Sequence, residues 1–255
     1  MTQAIFITGA ASGIGRATAK LFAERGWLVG IYDVDEAGLE ALENEIGKNN
    51  CVRGKLDVTS ESQWKSALAS FAQSTNGRMN ALFNCAGILR MSKFEELPPS
   101  ESLKQVQINV MGVIYGIYAS LPLLEKTERS VIVNMSSASA IYGTPELAVY
   151  SATKFAVRAL TEALDLEFRK KNIRVADIMP SYVATPMVAD QTYRAKTLKT
   201  MGVKLKAEDI AQCCWQAVNG KKVVHIIPRT DLKLFVRLAG FQGIARPMMK
   251  MFSRM

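Results

Sequence analysis

Residues 3–26 constrain this chain more than any other stretch. Gln3-Ala4-Ile5-Phe6-Ile7 is a short apolar run of strand character, Thr8-Gly9-Ala10-Ala11-Ser12-Gly13-Ile14-Gly15-Arg16 is a glycine-rich turn, and residues 17–26 place apolar side chains at helical spacing. A strand that runs through glycines straight into a helix leaves the first helical N–H groups facing open space. Negative charge is favoured there, and glycine lets the backbone come close to it. The same unit then repeats. Strands are expected at 27–32, closed by Asp33, at 51–56, closed by Asp57-Val58, and at 80–83, followed by Asn84-Cys85-Ala86-Gly87. Further strands are expected at 131–135, entering Ser136-Ser137-Ala138-Ser139, at 173–178, ending in Met179-Pro180, and at 223–227. Helices are expected between them, at about 35–48, 61–75, 101–124 and 206–219, with another opened by the capping sequence Thr144-Pro145-Glu146. Regular strand–helix alternation predicts an α/β fold: one doubly wound parallel sheet of about seven strands, helices on both faces, a single domain over residues 1–255. Ligands of such sheets lie at the carboxyl ends of the strands, where Gly9, Asp33, Asp57, Asn84 and Gly87 all fall.

Composition narrows the function classes. About half of the 255 residues are hydrophobic, enough for a sizeable core, yet no apolar run approaches the roughly 18 residues of a membrane span. The N-terminus lacks a basic n-region, and the four cysteines (Cys51, Cys85, Cys213, Cys214) have no framework spacing, so reduced thiols in a cytoplasmic protein are expected. A single histidine, His225, in an apolar run makes no metal site and reads as structural. A Ser-His-Asp hydrolase would lack an elbow motif. Charge is asymmetric: residues 1–150 carry 13 Lys and Arg against 15 Asp and Glu, and residues 151–255 carry 19 against 8. A one-sided basic surface attracts anions, but no nucleic-acid motif accompanies it, and no nucleic-acid partner is expected.

Two constellations point to chemistry. Asp33 follows the last glycine of the turn by 18 residues, about where an acid meets the adenosine ribose hydroxyls of a bound dinucleotide. A carboxylate there would repel a 2′-phosphate, so NAD is expected over NADP. Val34 offers no cation beside it, and Arg16 is the only nearby one. The turn spacing, G-x-x-x-G-x-G, differs from the G-x-G-x-x-G dinucleotide fingerprint. The second constellation is Tyr150 and Lys154, one helical turn apart on a stretch of good helix formers. On one helix face, an ammonium beside a phenol favours the phenolate and makes the tyrosine usable as an acid or base. The spacing alone is common in helices.

Taken together, Thr8 to Gly15, Asn84 to Gly87, Asn109, Ser137 (13 residues before Tyr150), Tyr150 and Lys154 resemble the short-chain dehydrogenase/reductase family, in its compact branch, over nearly the whole chain to residue 228. The resemblance implies a Rossmann-type sheet and NAD(P)-dependent interconversion of a secondary alcohol and a ketone. It implies that Tyr150 exchanges the proton with the substrate oxygen. Lys154 would lower the Tyr150 pKa and bond the nicotinamide ribose, Ser137 would hold the substrate oxygen, and Asn109 would support a water linking Lys154 to solvent. For the cofactor it implies contacts from Gly9, Ser12, Gly13, Ile14, Gly15, Asp33, Asp57, Val58, Asn84, Ala86, Gly87, Tyr150, Lys154, Pro180, Val183 and Thr185. It implies a homodimer or homotetramer built on the helices from residues 101 and 145. The chain departs from the family where Pro180-Ser181 replaces the usual Pro-Gly.

Residues 184–206 are polar and mixed, and are expected to form a substrate loop or lid. Apolar residues near them (Ile88, Leu89, Met91, Phe94, Tyr182, Met187, Val188, Tyr193, Leu198, Met201) favour a hydrophobic alcohol or ketone. Residues 221–255 hold eight Lys or Arg and one acid; within the extension 229–255, residues 232–239 read as a basic amphipathic helix, suited to peripheral contact with an anionic membrane or to packing on the protein itself. A non-catalytic NAD-binding sensor or scaffold of the same fold is the alternative reading. It has no chemical reason to keep Asn109, Ser137, Tyr150 and Lys154 together.

Overall fold

The computed structural model describes residues 2–220 and 224–228. Seven strands form one sheet: β1 (Ala4–Thr8), β2 (Leu28–Asp33), β3 (Cys51–Lys55), β4 (Ala81–Asn84), β5 (Val131–Met135), β6 (Arg174–Ile178) and, after a two-stranded side sheet of β7 (Val183–Ala184) and β8 (Leu205–Lys206), β9 (His225–Ile226). The order is β3-β2-β1-β4-β5-β6-β9, and every pairing is parallel. The strand order reverses between β1 and β4, which opens a crevice at their carboxyl ends. β1, β4 and β5 are buried along their whole length, as parallel strands covered on both faces require. The doubly wound sheet expected from the alternation is therefore the observed one.

The helices divide over the two faces. α1 (Gly13–Glu24), α2 (Glu36–Ile46) and α9 (Ala207–Asn219) cover one, packing Phe22, Leu39, Leu42 and Ile210 against Ile5, Ile7, Ile31 and Val133. α3 (Glu61–Thr75), α4 (Pro99–Val106), α5 (Gly112–Glu125) and α6 (Ala148–Glu167) lie on the other side, where Trp64, Phe71, Val113, Ile117 and Val157 meet Phe6, Leu82 and Ile132. α4 and α5 are continuous through a π-helical turn at Gln107–Met111, giving 27 helical residues from Pro99 to Glu125. By length and mean hydropathy this helix can cross a membrane, contrary to the reading that no run comes close. Its apolar character has a local cause, since Gly116 sits against the Trp64 ring and Val113, Ile117 and Leu124 enter the core.

One helix start differs from expectation. α6 begins at Ala148, not at Thr144. Residues 144–147 form a turn closed by Leu147 N–H on the Thr144 carbonyl at 3.1 Å, with Glu146 at a left-handed φ of 66°. The Thr144 hydroxyl does not cap the helix; it faces Ser139 Oγ and the Tyr142 carbonyl, both at 3.4 Å. Residues 184–206 run outside the seven-stranded sheet. They hold two short helices, α7 (Pro186–Ala189) and α8 (Lys196–Met201), and β7 pairs with β8 to close the loop at its base. The basic stretch 229–255 lies outside the described residues.

Candidate active site

A cavity of about 350 Å³ opens at the carboxyl ends of the strands, and the two constellations read from the sequence lie at its two ends. At one end the wall is mainly backbone. The Thr8 hydroxyl accepts the N–H groups of Cys85 and Ala86, both at 3.1 Å, and so stitches the end of β1 to the end of β4. Gly9 turns at φ 70° directly above, and a Cβ there would fall 2.8 Å from Ala86 Cα. A Cβ on Gly15 would fall 2.1 Å from the Gly9 carbonyl oxygen, so the start of α1 can approach β1 only with glycine at this position. Ser12 occupies the N-cap position with extended backbone, but its side chain makes no capping bond and the first turn holds no acid. The first N–H groups of a twelve-residue helix are thus left open toward the cavity, an arrangement that suits a pyrophosphate.

Asp33 ends β2 at this wall. Its Oδ2 accepts the Ala11 N–H at 3.0 Å, and its Oδ1 accepts those of Val34 at 2.7 Å and Asp35 at 3.2 Å. The carboxylate is therefore fixed in place. Arg16 turns away, donating to the carbonyls of Ala11 and Gly38 and pairing with Glu45 on α2. Asp57 Oδ1 is held by the N–H and hydroxyl of Thr59, at 2.9 and 2.8 Å. Ser12, Ile14, Val58, Ala86 and Gly87 line the cavity with Asp33 and Asp57. Asn84 does not. Its side chain points to the other face of the strand, donates to Asn134 Oδ1 at 2.9 Å and faces Gly116. Neighbouring residues of a strand point to opposite faces, so here the backbone of 85–87 meets the cavity and the Asn84 side chain serves the interior.

The other end is built from side chains. Tyr150 and Lys154 share one face of α6, and the Lys154 Nζ lies 5.5 Å from the Tyr150 ring centre. Lys154 donates to the Met135 carbonyl at 2.8 Å, which ties α6 to the end of β5 just before Ser137. Asn109 sits in the π-turn, fully buried. It accepts the Ile88 N–H at 2.8 Å and donates to the Ile88 carbonyl at 2.9 Å and to Thr153 Oγ1 at 3.2 Å. It clamps the segment that follows Gly87 to the helix carrying Tyr150. Burial pushes the Tyr150 phenol up to about 12, against a hydrogen bond with Ser137 that draws it back. Burial also pushes the Lys154 ammonium down to about 8. Lys154 was expected to draw the phenol down. In this arrangement desolvation by burial sets the direction for both groups. The neighbouring Cys85 thiol is likewise raised by burial, to about 12, which makes it a poor nucleophile.

Pro180, Val183 and Thr185 line the cavity between the two ends. The Pro180 carbonyl accepts the Ala138 N–H at 2.8 Å and so fixes the loop that carries Ser137. Ser181 is not at a positive φ, so this path of the chain needs no glycine, although the added hydroxyl is buried without a hydrogen-bond partner. The sequence reading missed the contact between Tyr182 and Thr197, whose hydroxyls lie 2.7 Å apart. It also missed the contacts of the Glu146 carboxylate with the Tyr193 hydroxyl and the Lys196 N–H.

Comparison with known proteins agrees with this architecture. The short chain dehydrogenase family model matches residues 3–196. The chain is a short-chain dehydrogenase/reductase. It is 37% identical over 186 residues, 72% of this chain and 74% of the relative, to the 2,5-dichloro-2,5-cyclohexadiene-1,4-diol dehydrogenase of Sphingobium indicum. It is 32% identical over 212 residues, 81% of this chain and 83% of the relative, to the cyclohexanol dehydrogenase of an Acinetobacter species. Among solved structures, a short-chain dehydrogenase/reductase of Burkholderia phymatum in complex with NAD superimposes with a TM-score of 0.83 at 25% identity, covering 93% of this chain and 92% of the other. The 3-ketoacyl-(acyl-carrier-protein) reductase of Brucella melitensis, complexed with NADH, does so at 0.79 and 32%, covering 88% and 96%. This dehydrogenase is thus an enzyme of the oxidoreductase class with a nicotinamide cofactor.

Proposed function

We propose that this dehydrogenase oxidises a hydrophobic secondary alcohol, or reduces the matching ketone, with NAD. The observation that carries the reading is the placement of Ser137, Tyr150 and Lys154 on one wall of a cavity whose opposite wall is a glycine-built phosphate cradle. The open N–H groups of α1 and the close fit of Gly9 and Gly15 suit the pyrophosphate, while Asp33 and Asp57 suit the adenosine end. Bound there, the cofactor supplies the nicotinamide ring that accepts or returns the hydride. The protein does the rest. Ser137 and Tyr150 hold the substrate oxygen, and Tyr150 takes or gives its proton at the hydroxyl. Lys154 stabilises the phenolate form. Asn109 fixes the start of α6 against the 87–88 backbone, and so sets where Tyr150 stands.

Preference for NAD follows from Asp33 and Arg16 together. The fixed carboxylate repels a 2′-phosphate, and the guanidinium that would receive one is engaged with Glu45 and two carbonyls. The substrate end is lined by Leu89, Tyr142, Leu147, Met187, Val188 and Met201, an apolar surface that suits a ring or chain of carbon. The relatives act on cyclic alcohols by name, so an alicyclic alcohol is the first substrate to try. The exposed Leu103 and Tyr118, on the long helix, and Phe155 and Leu166, on α6, suit coverage by a second copy of the chain. The test is NADH formation with a panel of cyclic and open-chain secondary alcohols, for the wild type and Tyr150→Phe. Turnover lost in the variant supports the reading. NAD binding without turnover across the panel would leave the non-catalytic alternative.

A further inference from the structure

The lid is held over the cavity by side chains, and the strongest tie comes from outside it. Glu146 is buried, and its left-handed φ of 66° is one that residues other than glycine adopt at a cost. Both carboxylate oxygens are used. Oε1 accepts the Tyr193 hydroxyl at 2.8 Å, and Oε2 accepts the Lys196 backbone N–H at 2.6 Å. Its own carbonyl accepts the Ser92 N–H at 3.0 Å. One residue, four before Tyr150, thus joins the lid, the 88–92 segment and the approach to the catalytic helix.

Glu146 itself does not line the cavity. Thr197, next to its partner Lys196, does, and so does Met201 one turn later. Thr197 in turn meets the Tyr182 hydroxyl. Beneath the carboxylate lies a small apolar seat in which Ala195 and Leu198 of the lid pack with Leu89, Met91 and Leu147. Gln191 makes a second tie, donating to the Leu89 carbonyl at 3.1 Å and accepting the Met91 N–H at 3.2 Å. Gln191 lies within the lid; Glu146 is the tie that belongs to the body of the protein.

We propose that Glu146 is a positioning residue for substrate: its carboxylate pulls residues 193–201 down so that Thr197 and Met201 complete the substrate end of the cavity. This rests on the dehydrogenase reading above. The carboxylate accepts from both groups that face it, the Tyr193 hydroxyl and the Lys196 N–H. A glutamine can keep the Lys196 arm on its oxygen and reach Tyr193 only by donating to the hydroxyl oxygen, which reverses that bond and removes the charge. The alternative is a carboxylate that merely stabilises the fold, whose loss would weaken all functions evenly.

Three variants separate these. Glu146→Gly removes the tie while suiting the left-handed backbone, so it relieves strain and is the variant expected to fold best. Glu146→Gln keeps the shape but loses the charge and reverses the Tyr193 bond, and Tyr193→Phe removes only the Oε1 arm. With cyclohexanol and NAD, KM for the alcohol is expected to rise about tenfold in Glu146→Gly and less in the other two, with kcat within about threefold of wild type. Independently of turnover, amide hydrogen exchange across 186–201 is expected to quicken about tenfold in Glu146→Gly, while 131–135 stays unchanged. Unchanged exchange across 186–201 overturns the proposal, and so does a loss that falls on kcat with KM unmoved. If the wild type oxidises no alcohol, the dehydrogenase reading fails, and the exchange experiment still decides the role of Glu146.

Discussion

The two ends of the cavity are made of different material. The dinucleotide end is mostly backbone: three glycines, the open N–H groups of α1, and a carboxylate gripped by three amides. The reaction end is mostly side chains: Ser137, Tyr150 and Lys154, with Asn109 fixing the helix that carries the last two and Glu146 tying residues 193–196 beside them. Backbone geometry is set by local sequence, so the first end forms wherever the strand–glycine–helix unit forms. Side chains meet only when distant elements pack, and the second end depends on α6 being held at several points at once. The first end tolerates side-chain change but little added bulk. The second tolerates bulk around it but little chemical change.

Substitutions at the two ends should therefore fail differently. The largest effect is expected at the reaction end. Tyr150→Phe removes the proton-transfer group and should lower kcat about 10³-fold, with the dissociation constant for NADH within a few-fold. Steady-state kinetics and fluorescence titration measure the two separately, and a large loss of NADH binding would show that the ends are not independent. Next is Gly15→Ala. The new methyl would sit 2.1 Å from the Gly9 carbonyl oxygen, so the loop must shift and the cradle opens. NADH affinity should fall on the order of 100-fold, or about 3 kcal/mol, while any residual kcat at saturating cofactor changes far less. Smaller again is Asp33→Ala. Loss of the carboxylate removes a repulsion and frees three amides, and the ratio of kcat/KM for NAD over NADP should fall about tenfold. An unchanged ratio would mean that Asp33 does not face the ribose.

The same contrast explains what was legible in the sequence. The strands, the glycine turn and α3, which is Glu61–Thr75 as expected, are legible because hydrophobic period, Ser60 as cap and glycine placement act within a few residues. Tyr150 and Lys154 are legible because one helical turn separates them. Asn84 misleads because a strand-end polar residue can face either side, and only the packing of Gly116 and Asn134 shows that this one faces inward. Thr144-Pro145-Glu146 misleads because a capping sequence is also a turn sequence. What decides between them is the Tyr193 hydroxyl and the Lys196 N–H, 47 and 50 residues away, which draw Glu146 out of the helix. The 184–206 segment likewise has no period of its own. Its course follows from the β7–β8 pairing and the ties to Leu89, Met91 and Glu146, none of which is local.

The finest test of the side-chain-built end lies at the far half of α6. There Arg158 and His225 share Glu162 Oε1, at 2.8 and 2.9 Å, and His225 Nδ1 meets Asp177 Oδ1 at 2.8 Å on the fully buried end of β6. This chain of charges ties α6 to β6 and β9. The hydrogen bond with Asp177 raises the His225 pKa, with burial and Arg158 opposing and Glu162 assisting. A histidine with a folded pKa above its unfolded value of about 6.5 contributes stability that is fully present below that value and is lost as pH rises through the folded pKa. Chemical denaturation should therefore show the wild type gaining about 1 kcal/mol over His225→Gln at pH 5.5 relative to pH 8.5, a modest figure because the imidazole is partly exposed. If the difference between the two proteins is independent of pH, the imidazole acts there as a neutral hydrogen-bonding group, and the anchor of α6 is polar rather than ionic. NADH affinity should be the same in both proteins, since the dinucleotide end owes nothing to this chain of charges.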